Sequence, residues 1–309
     1  MNDTRKPAQR RRNRLNPAFL AMILSIAVLI ALLILLGMLS QRRGLPIPTP
    51  TTTASQPQSA PSAPAPEPEP TEPPATTAPT EPPEPTVEEI ISEFAAEHGL
   101  TLADYPEKLI ELLKRNPETR EYVLNYPLEY GKPHTADISG YADFEGVPLF
   151  IQWDRQWGYE DYAGNVAGLS ACGPTCLSMV AYHFYRDAKY TPVYMMKFAE
   201  ENKHANAGTG TQWSLFQKGA KELGLNVQEL TLEQSQTESY IAKTLESGKV
   251  IVMNVRPGVF TTVGHYLLLT GYEDGKFKVN DPNSYANSEK LWEFEEFSDQ
   301  VRIMWAMSR

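Results

Sequence analysis

The chain has 309 residues, 26 of them proline and two of them cysteine, and a net charge of −10. The charge is uneven: residues 1–44 carry +7, residues 45–86 carry −5, and residues 87–309 carry −12. An acidic body argues against nucleic acid as a main partner, and a single pair of cysteines within one CGPTC stretch excludes a disulfide framework.

Residues 1–17 form a basic tail with Arg5, Lys6, Arg10, Arg11, Arg12 and Arg14. Residues 18–39 follow as 22 residues without a charge, about 33 Å of helix at ~1.5 Å per residue, and predict a membrane-spanning anchor. Six bases precede this span and two follow it. The positive-inside rule therefore predicts a cytoplasmic N-terminus, with the remainder of the chain extracellular. Residues 40–86 hold 15 of the prolines with almost no large apolar side chain, which predicts an extended linker that cannot build a core. Residues 87–132 read as short amphipathic helices. Thr86 and Glu89 are spaced as a capping box, and no chemistry is evident in this segment.

From residue 146 to 309 the pattern changes. Pro148–Trp153 reads as a short strand, Val193–Glu201 and Ser214–Leu223 as helices, and Ser239–Glu246 as a further helix. Val250–Val255, Tyr266–Tyr272 and Lys276–Val279 read as strands. Helices first and a mostly antiparallel sheet afterwards predict an α+β domain.

The chemistry centres on LSACGPTCLSMV, residues 169–180. Proline is tolerated only in the first turn of a helix, so a helix through Cys176 starts at or near Pro174. Cys172 then lies at the helix N-terminus, where unpaired N–H groups and the dipole favour a thiolate nucleophile. Cys176, one turn further on, reads as a buried small hydrophobe. Two thiols without a nearby histidine pair do not make a zinc site, and nothing else implies a cofactor.

A nucleophile needs a base, and the base an orienting group. Of the five histidines, His265 opens the apolar strand YLLLTGY and is the candidate base. His183 shares the Cys172 helix but lies ~16 Å along it. His204 falls in a polar loop, and His98 and His134 read as surface residues. Asp281, in VNDP, is the candidate orienting group. A two-residue turn at Asp274-Gly275 sends Asp281 to the wrong face. A three-residue loop, Glu273-Asp274-Gly275, pairs Tyr272 with Lys276 and sets Asp281 opposite Leu267, on the face of His265. The catalytic reading therefore predicts the three-residue loop, with Gly275 at positive φ. For the oxyanion, the Cys172 N–H needs a second donor, with Gln152 favoured over Gln156.

SACGPTCLSMV, GHYLLLTGY and VNDP, in that order, resemble the papain-like cysteine peptidases, and among them the bacteriocin-leader-processing family with its stand-alone relatives. The resemblance covers residues 146–309. It implies a papain-like fold, with Cys172 as nucleophile, His265 as base, Asp281 as orienting group and Gln152 in the oxyanion hole. It also implies a peptide or protein substrate and a monomer. Ala171 stands where the leader-processing enzymes have Asp, and Gln152 lies 20 residues before Cys172, so cytoplasmic leader processing is not implied. The same triad order also suits transglutaminase-type acyl transfer, and the fold without turnover suits a surface binding module.

Overall fold

The computed structural model describes residues 84–309. The basic tail, the apolar span and nearly all of the linker lie outside the described residues. Among those described, no helix is long and apolar enough to cross a membrane.

Helix α1 (Val87–Glu97) opens on the expected capping box: the Thr86 hydroxyl accepts from the Glu89 N–H at 3.2 Å, and the Glu89 carboxylate accepts from the Thr86 N–H at 2.7 Å. Helices α2 (Glu107–Arg115) and α3 (Arg120–Glu129) follow. Their apolar faces do not close on themselves alone. Ile91, Leu109, Leu112 and Val123 are buried in one cluster with Ile151, Trp153, Tyr159 and Val166. The N-terminal helices thus share a core with the segment that leads to Cys172.

Helix α4 (Cys172–Tyr185) begins two residues before Pro174, which occupies its first turn, where a missing N–H breaks no helical bond. Ten consecutive residues of α4, Gly173–Tyr182, are buried. Each large apolar side chain so buried contributes about 1.5–3 kcal/mol. Helix α5 (Pro192–Glu201) is capped by the Thr191 side chain. The stretch expected as one helix from Ser214 is instead a π-helical turn, Leu215–Gly219, running into Ala220–Glu222.

The main sheet has strands β1 (Asn226–Glu229), β2 (Val250–Val255), β3 (His265–Glu273), β4 (Lys276–Asn280), β5 (Leu291–Trp292) and β6 (Val301–Ser308). Their order is β1-β6-β2-β3-β4-β5, antiparallel throughout. Alternation divides the side chains between two faces. Val250, Val252, Tyr266, Leu268 and Trp305 pack with α4 and α5. Ile251, Met253, Leu267, Leu269 and Met304 pack with Phe297 and with Ile241 and Leu245 of helix α6 (Glu238–Glu246).

Three expectations are corrected. Pro148–Trp153 forms no strand; it is irregular and turns at Gln152. Strand β6, an interior strand between β1 and β2, has no counterpart among the expected strands: largely covered on both faces, it lacks the alternation that marks a half-exposed strand. The β3–β4 hairpin closes with Glu273 opposite Lys276, not Tyr272, and both Asp274 (φ 50) and Gly275 (φ 78) have positive φ, as a two-residue type I′ turn requires. That register alone would misdirect Asp281. A bulge between Leu269 and Gly271 restores it: Thr270 drops out of the ladder, Leu269 faces Val279 and Leu268 faces Asn280. One step further, Asp281 comes level with Leu267, on the face of His265.

Candidate active site

Cys172 is the first residue of α4 and partly exposed; Cys176 is fully buried, and both thiols are free. The first N–H groups of a helix have no partner within it, so the Cys172 amide is available to a ligand. Burial pushes the Cys176 thiol well above the ordinary cysteine range, and the nearby Cys172 and Asp281 add to this. Only one of the two thiols is therefore fit to react.

His265 sits at the start of β3, where its residue pairs with Val255 of β2, and its ring is almost wholly buried. Asn254 Nδ2 donates to the His265 carbonyl at 3.0 Å and fixes the backbone there. His265 Nε2 and Asp281 Oδ1 are 2.7 Å apart. Burial lowers the imidazole pKa, but the charge of Asp281, its hydrogen bond and the neighbouring Cys172 outweigh that and raise it to about 10. With Nε2 committed to Asp281, Nδ1 is the nitrogen left for the thiol.

Asp281 has no exposed surface. Its Oδ1 also accepts from the Asn283 N–H at 2.8 Å, and its Oδ2 accepts from Asn287 Nδ2 at 2.7 Å. A buried carboxylate is tolerable when donors surround it in this way.

Gln152 is buried, and its backbone N–H donates to the Pro282 carbonyl at 2.7 Å, which ties it to the Asp281 turn in place of the expected strand. Its Nε2 donates to the Gly168 carbonyl at 2.7 Å; among the described residues the second N–H of that amide is uncommitted and its Oε1 has no partner. Gln152, Cys172 and His265 line one cavity of about 250 Å³, together with Gly168, the 258–264 loop and Asn283. A Cβ on Gly168 would lie 2.4 Å from the Tyr122 ring, so only glycine lets α3 approach the cavity wall this closely. Gln156 is elsewhere, accepting from the Asp137 N–H at 2.8 Å.

The residues that sequence reasoning missed come from 87–132. Leu112, Arg115 and Asn116 line the same cavity. Asn116 Nδ2 donates to the Asn283 carbonyl at 2.6 Å. The Glu118 carboxylate accepts from Ser284 Oγ at 2.7 Å and from the Tyr285 N–H at 2.6 Å, at the start of helix α7 (Tyr285–Glu289). The N-terminal helices thus grip the turn that carries Asp281. Asn116-Pro117 was the available signal, since Asn before Pro marks a rigid cap, but a cap does not name its distant partner.

The other histidines are structural. His183 Nδ1 meets the Gly146 carbonyl at 2.7 Å, and His98 Nδ1 the Phe94 carbonyl at 2.8 Å. His204 is buried, not a loop residue in solvent, and meets Ser214 Oγ at 2.9 Å. His134 is largely covered, with Nε2 at 3.1 Å from Glu129 Oε2.

A family model described as Peptidase_C39 like family matches residues 144–308. Among solved structures, the chain is similar to the peptidase domain of Streptococcus ComA, a bi-functional ABC transporter involved in a quorum sensing pathway. That match has 21% identity and a TM-score of 0.34, and covers 45% of this chain and 90% of that one. It is also similar to a putative C39-like peptidase from Bacillus anthracis, at 16% identity and a TM-score of 0.35, covering 57% of this chain and 98% of that one. No curated protein matches. Since the family model spans more than half of its length, the chain belongs to the Peptidase_C39 like family.

Proposed function

We propose that this protein is a cysteine peptidase that cleaves amide bonds in peptides or proteins through Cys172, His265, Asp281 and Gln152. The observation that carries this reading is that His265, paired with the buried Asp281, lines one cavity with Gln152 and with Cys172 at a helix N-terminus. Cys172 Sγ attacks the substrate carbonyl carbon with the thiol proton already held on His265 Nδ1. His265 passes that proton to the leaving amine as the C–N bond breaks, leaving a thioester on Cys172. Water, deprotonated by His265, then hydrolyses the thioester and restores the thiol. Asp281 holds the imidazole orientation throughout. The Cys172 N–H and the uncommitted N–H of Gln152 receive the oxyanion.

The test is cleavage of a degenerate peptide mixture by the purified full-length protein, with Cys172→Ala as control. New peptide termini with the wild type and none with the variant are expected. If neither protein produces fragments and Cys172 alkylates no faster than a free cysteine, the chain is a binding module. Gln152→Ala is expected to lower kcat/KM by about 100- to 1000-fold with KM little changed, as for loss of one oxyanion donor. An effect confined to KM would assign Gln152 to substrate binding instead.

The charge bias around residues 18–39 supports an anchored protein with its C-terminal domain outside the cell. Protease added to intact cells should then release a soluble fragment cut within residues 40–86. Full protection of the chain would reverse the orientation.

A further inference from the structure

Cys172 lies where two cavities meet, and Arg115 borders both. Their charges differ. Around the first cavity, which holds Gln152 and His265, the only formally charged side chain among the described residues, besides the His265 imidazole, is Arg115. Around the second, Glu107 and Glu111 offset Lys108 and Arg115. Arg115 ends helix α2, and no carboxylate among the described residues forms an ion pair with it. Of its acidic neighbours in sequence, Glu118 accepts from Ser284 Oγ and the Tyr285 N–H, and Glu111 is occupied by Lys114 at 2.9 Å. The guanidinium is nonetheless placed. Nε donates to the Glu111 carbonyl at 3.0 Å, and Nη1 reaches the 258–264 loop to donate to Thr262 Oγ1 at 3.0 Å. Nη2 remains free to bind among the described residues. A planar donor group held from two sides over a cavity suits a carboxylate better than a backbone amide.

We propose that Arg115 makes the Gln152 side of the cleft a subsite for a carboxylate, so that the preferred substrate carries an acidic group next to the scissile bond. The proposal rests on the peptidase reading for the identity of the substrate, but the subsite itself does not require turnover. The carboxylate has two sources, an Asp or Glu side chain or the free C-terminus of a short peptide. Arg115, which supplies the charge of the subsite, lies outside the segment 144–308 matched by the family model.

The test compares alkylation of Cys172 by iodoacetate and by iodoacetamide in the full-length protein, each rate taken relative to free glutathione. An anionic reagent is drawn to the subsite; a neutral one is not. The iodoacetate-to-iodoacetamide ratio should be about 3- to 10-fold higher in the wild type than in Arg115→Gln, the modest range reflecting a solvent-exposed cation. It should fall further in Arg115→Glu and be largely retained in Arg115→Lys. Equal ratios in all four proteins would overturn the subsite. Peptides then distinguish the sources. Preference for Asp or Glu within C-terminally amidated peptides, lost in Arg115→Gln, assigns the side chain. Preference for free-acid over amidated peptides, lost in the same variant, assigns the terminus. A ratio that depends on Arg115 without any peptide cleavage keeps the subsite and removes the peptidase. Cleavage with no acidic preference and no change of ratio keeps the peptidase and removes the subsite.

Discussion

Iodoacetamide at pH 6 is expected to alkylate Cys172 in the folded protein and to leave Cys176 untouched. An ordinary cysteine, with a pKa near 8.5, is only ~0.3% thiolate at that pH. Cys172 is partly exposed at a helix N-terminus, with the His265 imidazole, which Asp281 keeps protonated, beside it. Its alkylation should be about 10- to 100-fold faster than that of a free thiol. Cys176 has no such partner, is wholly buried, and is held as a thiol by its apolar surroundings. In His265→Ala the rate at Cys172 should fall by about tenfold or more, toward that of a free cysteine, and peptide cleavage should be lost. Mass spectrometry of the alkylated protein reads both sites at once. Faster labelling of Cys176, or no difference between wild type and His265→Ala, would remove the assigned nucleophile and base.

Replacing Asp281 should have the second large effect, on stability as well as rate. In Asp281→Ala the His265 ring, the Asn283 N–H and Asn287 Nδ2 all lose a buried acceptor. Removing one partner of a buried ionic pair costs about 3–5 kcal/mol. At ~2–4 °C per kcal/mol for a domain of this size, the thermal midpoint should drop by about 6–20 °C. Asp281→Asn keeps the volume and separates charge from packing. Loss of the imidazole orientation in either variant should slow cleavage by up to ~10⁴-fold.

The pH dependence has a definite sign. In the wild type the His265 pKa is raised from 6.5 to about 10, so its contribution to stability is full below pH 6.5 and is lost as pH rises through about 10. In Asp281→Asn burial is no longer opposed by the carboxylate, and the imidazole pKa should fall below its ordinary value. That variant should lose stability on acidification instead. Thermal midpoints from pH 5 to 10 for both proteins check the reversal, and parallel curves would show that the pair does not titrate as described.

Local chemistry made much of this protein legible in the sequence. The proline rule placed Cys172 at a helix start within two residues, because a missing N–H is a strictly local constraint. The Thr86–Glu89 capping box and strand β2 were readable for the same reason: their signals lie within a few residues. The pairing of His265 with Asp281 was also foreseen, but through the wrong turn. A two-residue hairpin with a bulge at Thr270 and a three-residue hairpin without one give the same register at Asp281, and sequence spacing cannot separate them. Only the ladder between β3 and β4 decides which residue is left unpaired.

The role of residues 87–132 was wholly tertiary. Nothing in Leu112, Arg115 or Asn116 marks them as neighbours of a cysteine 56 to 60 positions later, nor Glu118 as the partner of Ser284 and Tyr285. They reach it because the apolar face of α1–α3 cannot be buried by three short helices alone and is completed by Ile151, Trp153, Tyr159 and Val166. That shared core carries Asn116 and Glu118 to the Asp281 turn and Arg115 to the cleft. Hydrophobic periodicity in the sequence determined that this face had to be covered; the partner that covers it, and so the shape and charge of the cleft, was decided only when the chain packed.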